Sequence, residues 1–299
     1  MHYGYIGLGN LGANCAACLL RDGFKVTIND LDKSLAEPLI AAGAVWAEDA
    51  ATVARQTEHV ITCLPSPVVT EKVLDQILPE MTSDAHWIEM STLGRDDVIA
   101  MAAKAAEHDV RMMELPVTGG VHLAAQGKIT MLAGGDKDMF DTHLPALQAM
   151  GNEVFHIGPL GSAAIIKVIT NMLAFIHLKA CGEALMLAKR GGLDLGQAWH
   201  VIKASSGNSF VHETEGALVL NGSYDVGFNM DFVLKDLGFA MDFGKEFEVP
   251  LDLASVTRQS YVAARAAFGA EAQSPMVVKL LEDLLQTDLR AEGFPAKLI

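Results

Sequence analysis

The first half of the chain alternates short apolar runs with amphipathic segments of helical period. Tyr3–Gly7 and Lys25–Asn29 have the β-branched and aromatic content of strands, and Leu11–Arg21 between them predicts a helix that ends at Asp22-Gly23. A helix is also predicted over Ser34–Ala42. Further extended segments are predicted at Ala44–Trp46, His59–Leu64, His86–Met90, Arg111–Glu114, Ile129–Ala133 and Glu153–His156. Such alternation predicts parallel βαβ units and a doubly wound α/β sheet.

The pattern changes after Gly161. Helical periods predominate from Ser162 to Leu285, and the first of these helices is predicted over Ser162–Arg190. We therefore expect an α/β domain over residues 1–161 and an all-α domain over residues 162–299, joined by one long helix. The tail Asp288–Ile299, with Gly293 and Pro295, is predicted to be a loosely held surface segment.

Composition excludes several classes of partner. The formal net charge is −15 without a concentrated basic patch, which argues against a nucleic-acid partner. No signal peptide is apparent, and we expect a cytoplasmic protein with reduced thiols. Cys15 and Cys18 lie in an Ala/Leu-rich helical segment, where core packing is favoured over a redox pair. No membrane span is expected, because the most apolar stretch, Ala163–Leu178, is interrupted by Lys167, Thr170, Asn171 and His177.

A glycine motif follows the first strand and opens the first helix. It reads Gly7-Leu8-Gly9-Asn10-Leu11-Gly12, the GxGxxG typical of the first βα turn of a Rossmann domain. Its glycines permit a tight turn, approach of a pyrophosphate to the backbone, and close packing of helix on strand. Asp30 ends the second strand, where a carboxylate accepts the ribose hydroxyls of NAD and repels the extra phosphate of NADP. The alternative for Asp30 is a solvated acidic turn.

Lys167 is flanked by β-branched residues in a predicted helix that is otherwise apolar. It is either the exposed edge of that helix or a functional amine. A buried amine loses its charge easily and can act as a base. Asn171, four residues on, shares the same helix face and would direct a hydrogen-bond donor at the same substrate group.

Three loops after predicted strands also carry candidate chemistry: Leu64-Pro65, Ser91-Thr92, and Thr118-Gly119-Gly120. Hydroxyls and exposed glycine amides suit a substrate carboxylate, although each loop is also compatible with an ordinary capped turn. His122 is a rival proton carrier, and His177 and His212 are weaker ones. None of the three has a companion that predicts a metal site, so no metal is expected.

Taken together, these motifs resemble the β-hydroxyacid dehydrogenase family, which includes 3-hydroxyisobutyrate, tartronate semialdehyde and L-serine dehydrogenases. The likeness extends from the Gly7–Gly12 turn to Lys235-Asp236-Leu237. The resemblance implies that Lys167 is the catalytic lysine and Asn171 a substrate-binding asparagine. It also implies that the Thr118-Gly119-Gly120 loop holds substrate and that Leu64, Pro65, Thr92 and Lys235 contact the dinucleotide. From its position after a predicted strand, the Ser91 hydroxyl is expected to help hold the substrate carboxylate.

Three departures from the family pattern bear on the substrate. Thr118 stands where Ser is usual, Thr170 replaces the first Asn of the usual Lys-x-x-Asn-Asn, and Leu-Gly-Arg without a Pro follows Ser91-Thr92. The expected function is a reversible NAD-dependent oxidation of a small β-hydroxy acid, in a homodimer or homotetramer. The alternatives are an imine reductase, a class that usually lacks the lysine, and a dinucleotide-binding sensor without turnover.

Overall fold

The computed structural model describes residues 1–298. Within them the chain forms nine strands: β1 (His2–Ile6), β2 (Lys25–Asn29), β3 (Val45–Trp46), β4 (His59–Thr62), β5 (His86–Glu89), β6 (Arg111–Glu114), β7 (Val117–Thr118), β8 (Ile129–Gly134) and β9 (Gly151–Gly158). The backbone divides into two compact units, Met1–Lys167 and a second that begins at Val168. All nine strands belong to the first unit.

The helices of the first unit are α1 (Gly12–Arg21), α2 (Glu37–Ala41), α3 (Ala50–Gln56), α4 (Pro67–Ile77), α5 (Arg95–Ala106), α6 (Val121–Ala125) and α7 (Lys137–Met150), with 3₁₀ turns at Lys33–Ala36 and Leu78–Glu80. The long helix α8 (Ser162–Arg190) begins in this unit. The second unit continues with α9 (Leu195–Lys203), α10 (Phe210–Glu213), α11 (Glu215–Asn221), α12 (Met230–Glu246), α13 (Asp252–Phe268) and α14 (Met276–Leu285).

The sheet confirms the predicted doubly wound class. Its strand order is β3-β2-β1-β4-β5-β6-β8-β7, with β9 beside β8, and the strands from β3 to β6 are parallel. The first six strands thus have the Rossmann order, which reverses between β1 and β4. Ligands of such sheets bind outside the carboxyl ends of the strands at that reversal.

The far edge of the sheet differs from the purely parallel prediction. β8 runs antiparallel to both β6 and β7. β6 and β7 therefore run in the same direction, and only Leu115-Pro116 separates them along the chain, so β7 continues the course of β6. The parallel pattern returns at β8-α7-β9, where a whole helix connects the two strands.

Both faces of the sheet are buried, as parallel sheets require. Tyr3 and Tyr5 of β1 point to the face covered by α1 and α7, and Trp87 of β5 packs on the opposite face. Cys15 and Cys18 are free thiols buried in the first of these cores, in agreement with the packing interpretation.

The second unit has its own apolar core. Phe175, Leu178 and Leu185 of α8 pack in it with residues of the later helices. Among residues 1–298, α8 alone is long and apolar enough to cross a membrane, with a mean hydropathy of 1.5 over its best window. Its length and composition therefore do not exclude a span, contrary to the sequence argument. Of the residues in that window, 39% are buried within the described structure.

The prediction of a loosely held tail is wrong at Leu289 and Arg290, although most residues of 288–298 are exposed, as a surface segment requires. Leu289 is fully buried, and its backbone N–H donates to Glu282 Oε1 at 2.6 Å. The Arg290 guanidinium donates to the same carboxylate at 2.9 Å and to the Tyr224 hydroxyl at 2.8 Å. The buried Glu282 requires these donors, so the tail is anchored by polar contacts that its composition did not indicate.

The start of α8 is held by a carboxylate from β6. Glu114 is buried, and its two oxygens accept the backbone N–H groups of Gly161, Ala163 and Ala164 at 2.6, 3.0 and 2.9 Å. These amides belong to the first turn of the helix, where N–H groups have no partner within the helix. Burial raises the pKa of Glu114 to about 7, against the opposing effect of the three amides.

This cap predicts a pH dependence of stability. The pKa of Glu114 rises from 4.5 to about 7 on folding, so the folded chain binds the extra proton. Its contribution to the free energy of unfolding is complete below pH 4.5 and is lost as the pH rises through about 7. We expect Glu114→Gln to reduce the difference in stability between pH 5 and pH 8 by about 2–3 kcal/mol, measured by urea unfolding.

Glu107→Gln, at the exposed end of α5, is the matched control and should leave the pH dependence unchanged. Equal pH dependence in the wild type and in Glu114→Gln would show that this carboxyl group does not titrate differently in the folded state.

Candidate active site

The glycine motif forms the turn from β1 into α1, and two of its glycines are required by the backbone itself. Gly7 has a φ of 97°, and a Cβ there would lie 2.3 Å from the Cys63 carbonyl oxygen. A Cβ on Gly12 would lie 2.0 Å from the Gly7 carbonyl oxygen. The turn is therefore pressed between the carboxyl end of β4 and its own helix, as the motif predicts.

Gly9 differs, because a Cβ on it would meet nothing within 4 Å. Gly9 and Asn10 are exposed, whereas Gly7 and Leu8 are buried. The space over Gly9 is thus not needed for packing within the chain. It is the position where the dinucleotide motif lets a pyrophosphate approach the backbone, at the positive end of α1.

Asp30 lies beside this turn at the end of β2. Its Oδ2 accepts the Leu8 backbone N–H at 2.6 Å, and its Oδ1 accepts that of Asp32 at 2.9 Å. Each carboxylate oxygen retains a further lone pair for a ribose hydroxyl. Lys33, the nearby cation, is paired with Glu48 at 3.0 Å.

The carboxyl ends of β4 and β5 are tied to each other. The Leu64 backbone N–H donates to Ser91 Oγ at 2.7 Å, so two of the predicted loops are in contact. Ser91 and Leu64 are at least partly buried, Pro65 is exposed, and Thr92 follows Ser91 directly. The contact gives Ser91 a positioning role for the Leu64-Pro65 loop in addition to any contact with substrate.

Glu89 is a site residue that the sequence reasoning missed. It is buried at the end of β5, where its carboxylate accepts the Ser91 backbone N–H at 2.6 Å and the Thr62 hydroxyl at 2.5 Å. Burial and the nearby Glu89 raise the pKa of Cys63 to about 12, so this cysteine stays protonated. The sequence signal for Glu89 was a single acidic residue in an apolar strand, because a buried carboxylate requires hydrogen-bond donors.

The loop after β7 has the backbone that its glycines predict. Thr118 ends β7, and Gly119 and Gly120 follow with φ values of 120° and 92°, which side-chain-bearing residues rarely adopt. A Cβ on Gly119 would also approach Leu123 to 2.9 Å. The loop therefore turns sharply at the carboxyl side of the sheet and presents backbone amides beside the Thr118 hydroxyl.

Lys167 lies within the first two turns of α8, downstream of the Glu114 cap. It is 8% exposed, so the buried alternative is the one realised. Glu114 binds residues one turn before Lys167, and these contacts fix the rotation of the helix about its own axis. The direction of the Lys167 side chain therefore follows from the cap. Asn171 follows on the same helix face, at the spacing of i and i+4.

Asn171 is held by an acidic residue that the sequence reasoning did not single out. Its side-chain amide donates to Asp236 Oδ2 at 2.6 Å, and Asp236 is 1% exposed. The ammonium of Lys235 lies 3.1 Å from the other oxygen of Asp236. Asp236 thus fixes the Asn171 amide and sets Lys235 beside it. The sequence signal that could have identified Asp236 was its position directly after Lys235.

The three histidines considered as alternative proton carriers differ from Lys167 in their surroundings. Burial lowers the pKa of His122, which lies on α6 next to Gly120. His212 is buried, with Nε2 2.9 Å from the Trp199 carbonyl oxygen and Nδ1 3.4 Å from Cys181 Sγ, which makes it a structural residue. His177 is exposed on α8.

Two family models match nearly the whole chain. Residues 2–158 match the NAD-binding domain of 6-phosphogluconate dehydrogenase. Residues 161–281 match the family described as the NAD-binding domain of NADP-dependent 3-hydroxyisobutyrate dehydrogenase. The boundary between the two matches falls at the Glu114-capped start of α8.

Individual relatives match at full length. A 2-(hydroxymethyl)glutarate dehydrogenase of Eubacterium barkeri is 30% identical over 94% of this chain and 95% of its own. An L-threonate dehydrogenase of Escherichia coli is 30% identical over 92% and 93%. The crystal structure of a 3-hydroxyisobutyrate dehydrogenase from Salmonella typhimurium has a TM-score of 0.88, with 29% identity over 94% of this chain and 99% of that one.

The open space over Gly9 provides a test of dinucleotide binding. We expect Gly9→Ala to leave the Tm unchanged, because its Cβ meets no atom of the chain, and to raise the Kd for NADH about tenfold by obstructing the phosphates. Fluorescence titration of NADH measures the Kd, and thermal unfolding measures the Tm.

Gly238→Ala on α12, where a Cβ also meets nothing within 4 Å, is the matched control and should bind NADH like the wild type. Gly12→Ala should instead lower the Tm, because its Cβ overlaps the Gly7 carbonyl oxygen. Unchanged NADH affinity in Gly9→Ala would place the phosphates elsewhere.

Proposed function

The chain belongs to the β-hydroxyacid dehydrogenase family, and on that premise we propose that it oxidises a small β-hydroxy acid reversibly, with NAD as acceptor and Lys167 as general base. The product is the corresponding semialdehyde or 3-oxo acid. The observation that carries the proposal is the buried amine of Lys167, on the same helix as an asparagine whose amide is fixed by Asp236.

The proposed reaction assigns separate roles to the cofactor, Lys167 and Asn171. NAD, when bound, accepts the hydride of the carbon that bears the hydroxyl group. Lys167 Nζ takes the hydroxyl proton and returns it in the reverse reduction. Asn171 donates a hydrogen bond that orients the substrate. Its amide is already aligned by Asp236, so little side-chain freedom is lost on binding.

The substrate carboxylate would be held by the loops at the carboxyl side of the sheet. The backbone amides of Gly119 and Gly120 and the hydroxyls of Thr118 and Ser91 are neutral donors suited to a single negative charge. The methyl group of Thr118 takes up space that the usual serine leaves free. This favours a small substrate, in the size range of 3-hydroxyisobutyrate and L-serine.

The preference for NAD over NADP is inferred from Asp30. Its carboxylate would accept the ribose hydroxyls and repel a phosphate at the same place. Leu64, Pro65, Thr92 and Lys235 are proposed as further dinucleotide contacts, and the Gly7–Gly12 turn as the pyrophosphate site. We also propose a cytoplasmic location and assembly as a homodimer or homotetramer, as expected for the family.

Replacement of Lys167 tests the general base. Lys167→Met keeps the length of the side chain and removes the proton acceptor, so we expect kcat to fall by about 10²–10⁴-fold while the Kd for NADH changes less than about twofold. Turnover would be followed as NADH formation with 3-hydroxyisobutyrate, L-serine, L-threonate and 2-(hydroxymethyl)glutarate.

Lys179→Met is the matched control on the same helix, where Lys179 pairs with Glu183 at 2.8 Å, and it should retain activity. Full activity in Lys167→Met would overturn the assignment of the base. NADH binding by the wild type without turnover of any of these acids would favour the sensor.

The cofactor preference rests on the charge of Asp30. Asp30→Asn keeps an oxygen that can accept the Leu8 backbone N–H and removes the repulsion of a 2′-phosphate. We expect the ratio of kcat/KM with NAD to that with NADP to fall at least about tenfold, or about 1.4 kcal/mol. Asp32→Asn, two residues on in the same loop, should leave the ratio unchanged. A wild-type preference for NADP would contradict the proposal directly.

A further inference from the structure

Three histidines from distant parts of the chain meet at the amino-terminal edge of the sheet. His59 and His86 are the first residues of β4 and β5, and His143 lies on α7. One ligand nitrogen from each ring lies within 4.8 Å of the other two. We call this set the histidine cluster. It stands at the edge opposite the Gly7–Gly12 turn, and no step of the proposed reaction uses it.

The sheet register explains how two of the rings are aligned. His59 and His86 are directly paired residues of neighbouring parallel strands, so their side chains leave the same face of the sheet. Their rings are stacked, with centroids 4.9 Å apart and planes 19° apart. His143 reaches the pair from the helix that covers this face, and its ring is perpendicular to that of His59 at 4.7 Å.

Hydrogen bonds link the cluster to Tyr3. The Tyr3 hydroxyl lies 3.1 Å from Met1 Sδ and 2.8 Å from His143 Nδ1, and in the tautomer that directs the Tyr3 O–H at the sulfur, His143 Nδ1–H donates to the Tyr3 oxygen. The other nitrogen of a neutral His143 is then an acceptor for His86 Nδ1–H at 2.7 Å.

One nitrogen of the cluster is left over. His59 Nδ1 is buried and has no hydrogen-bond partner among residues 1–298. A buried polar atom without a partner costs free energy and indicates a missing water or ion. A water could satisfy this single nitrogen, but three imidazole nitrogens within 4.8 Å of one another offer a metal ion three ligands at once.

We propose that the histidine cluster is a binding site for a divalent transition-metal ion, with Zn²⁺ the best match. The ligands would be His59 Nδ1, His86 Nδ1 and His143 Nε2, with water in the fourth position. Neutral nitrogen ligands favour zinc and its neighbours over Mg²⁺ or Ca²⁺, which prefer oxygen. In a tetrahedral zinc site the nitrogens lie about 3.3 Å apart. Binding would therefore separate His86 Nδ1 from His143 Nε2, which are 2.7 Å apart, and would rotate the His59 ring out of its stack on His86.

The proton balance of binding is simple. The ion takes the place of the proton shared by His86 Nδ1 and His143 Nε2, and that proton moves to the other nitrogen of His86. His143 would keep its Nδ1–H bond to Tyr3, and this bond would orient the ring, as hydrogen-bond acceptors do for other zinc-bound histidines. No proton is released and no redox step is involved.

The charges around the cluster are compatible with a cation. Arg111 of β6 is the residue paired with His86 of β5. The positive charge of its guanidinium is compensated by hydrogen bonds to Asp138 at 2.9 Å and to Asp136 at 3.1 Å. Glu58 precedes His59 in the chain. The bound ion would join β4, β5 and α7 and so stabilise the first unit, because it binds only the folded arrangement.

The site can be tested with the metal alone and without any assay of turnover. The untagged protein, freed of metal with a chelator, would be titrated with ZnCl₂ by calorimetry. We expect one ion per chain with a Kd below about 1 µM, and a rise in Tm of about 5 °C at saturation. X-ray absorption at the zinc edge should show three nitrogens at about 2.0–2.1 Å.

His59→Gln is the decisive variant. His59 is partly exposed and its Nδ1 bonds to nothing in the described chain, so its loss should leave the fold and the Tyr3–His143–His86 hydrogen bonds intact. We expect zinc affinity to fall about 100-fold in His59→Gln and in His143→Gln, and to be unchanged in His177→Gln, an exposed histidine of the second unit. NADH binding without metal checks that each variant is folded.

Two results would overturn the proposal. One is zinc binding in the wild type no tighter than millimolar. The other is tight binding that His59→Gln does not weaken, since the ion would then lie elsewhere. Because neither readout involves substrate or NAD turnover, failure here would leave the dehydrogenase proposal untouched, and the reverse also holds.

Discussion

A single buried carboxylate determines where the long helix begins. Glu114 binds three backbone amides of the first turn of α8, and these amides have no other acceptor within the helix. The phase of the helix from that turn onward is therefore fixed relative to β6. Lys167 is one turn beyond Ala163, so its direction is a consequence of this cap. A buried lysine requires such a rigid support, because a helix free to rotate would turn the amine toward water.

The carboxyl edge of the sheet follows the same principle, with backbone groups held by short polar side chains. Asp30 holds the amide of Leu8, and Ser91 holds the amide of Leu64, which is the first residue of another loop. Glu89 in turn holds the backbone of Ser91. These bonds limit the motion of loops that would otherwise be mobile, and the ligand then pays less ordering entropy on binding.

Much of this molecule could be predicted from local patterns. The bounds of β2, β6 and α8 agree with the prediction at every residue, because each is a short apolar run between turn residues or a long helical period. The antiparallel pairing of β7 and β8 could not be predicted in that way. A two-residue strand has no periodicity, and its direction is set by the short connection from β6.

The candidate site was predictable where one motif carries several residues, as in the Gly7–Gly12 turn. It was not predictable where the partner is distant in the chain. Glu89, Glu114 and Asp236 each appear in the sequence as isolated acids within apolar segments. Their roles depend on donors that are 27 to 65 residues away. A lone acid in a buried strand is nonetheless a usable signal, since it must find donors when the strand is buried.

The histidine cluster shows most clearly that contacts between residues distant in the chain cannot be predicted from the sequence. His59, His86 and His143 are separated by 27 and 57 residues, and no metal-ligand spacing joins them, so the sequence predicted no metal. The parallel sheet removes that separation, because equivalent positions of neighbouring strands lie side by side whatever the length of the crossover. The amino-terminal edge is well suited to a stabilising ion. An ion placed there would join two strands and a helix, while the opposite edge keeps the loops that we propose bind the dinucleotide. Stability and catalysis can then be adjusted independently within one sheet.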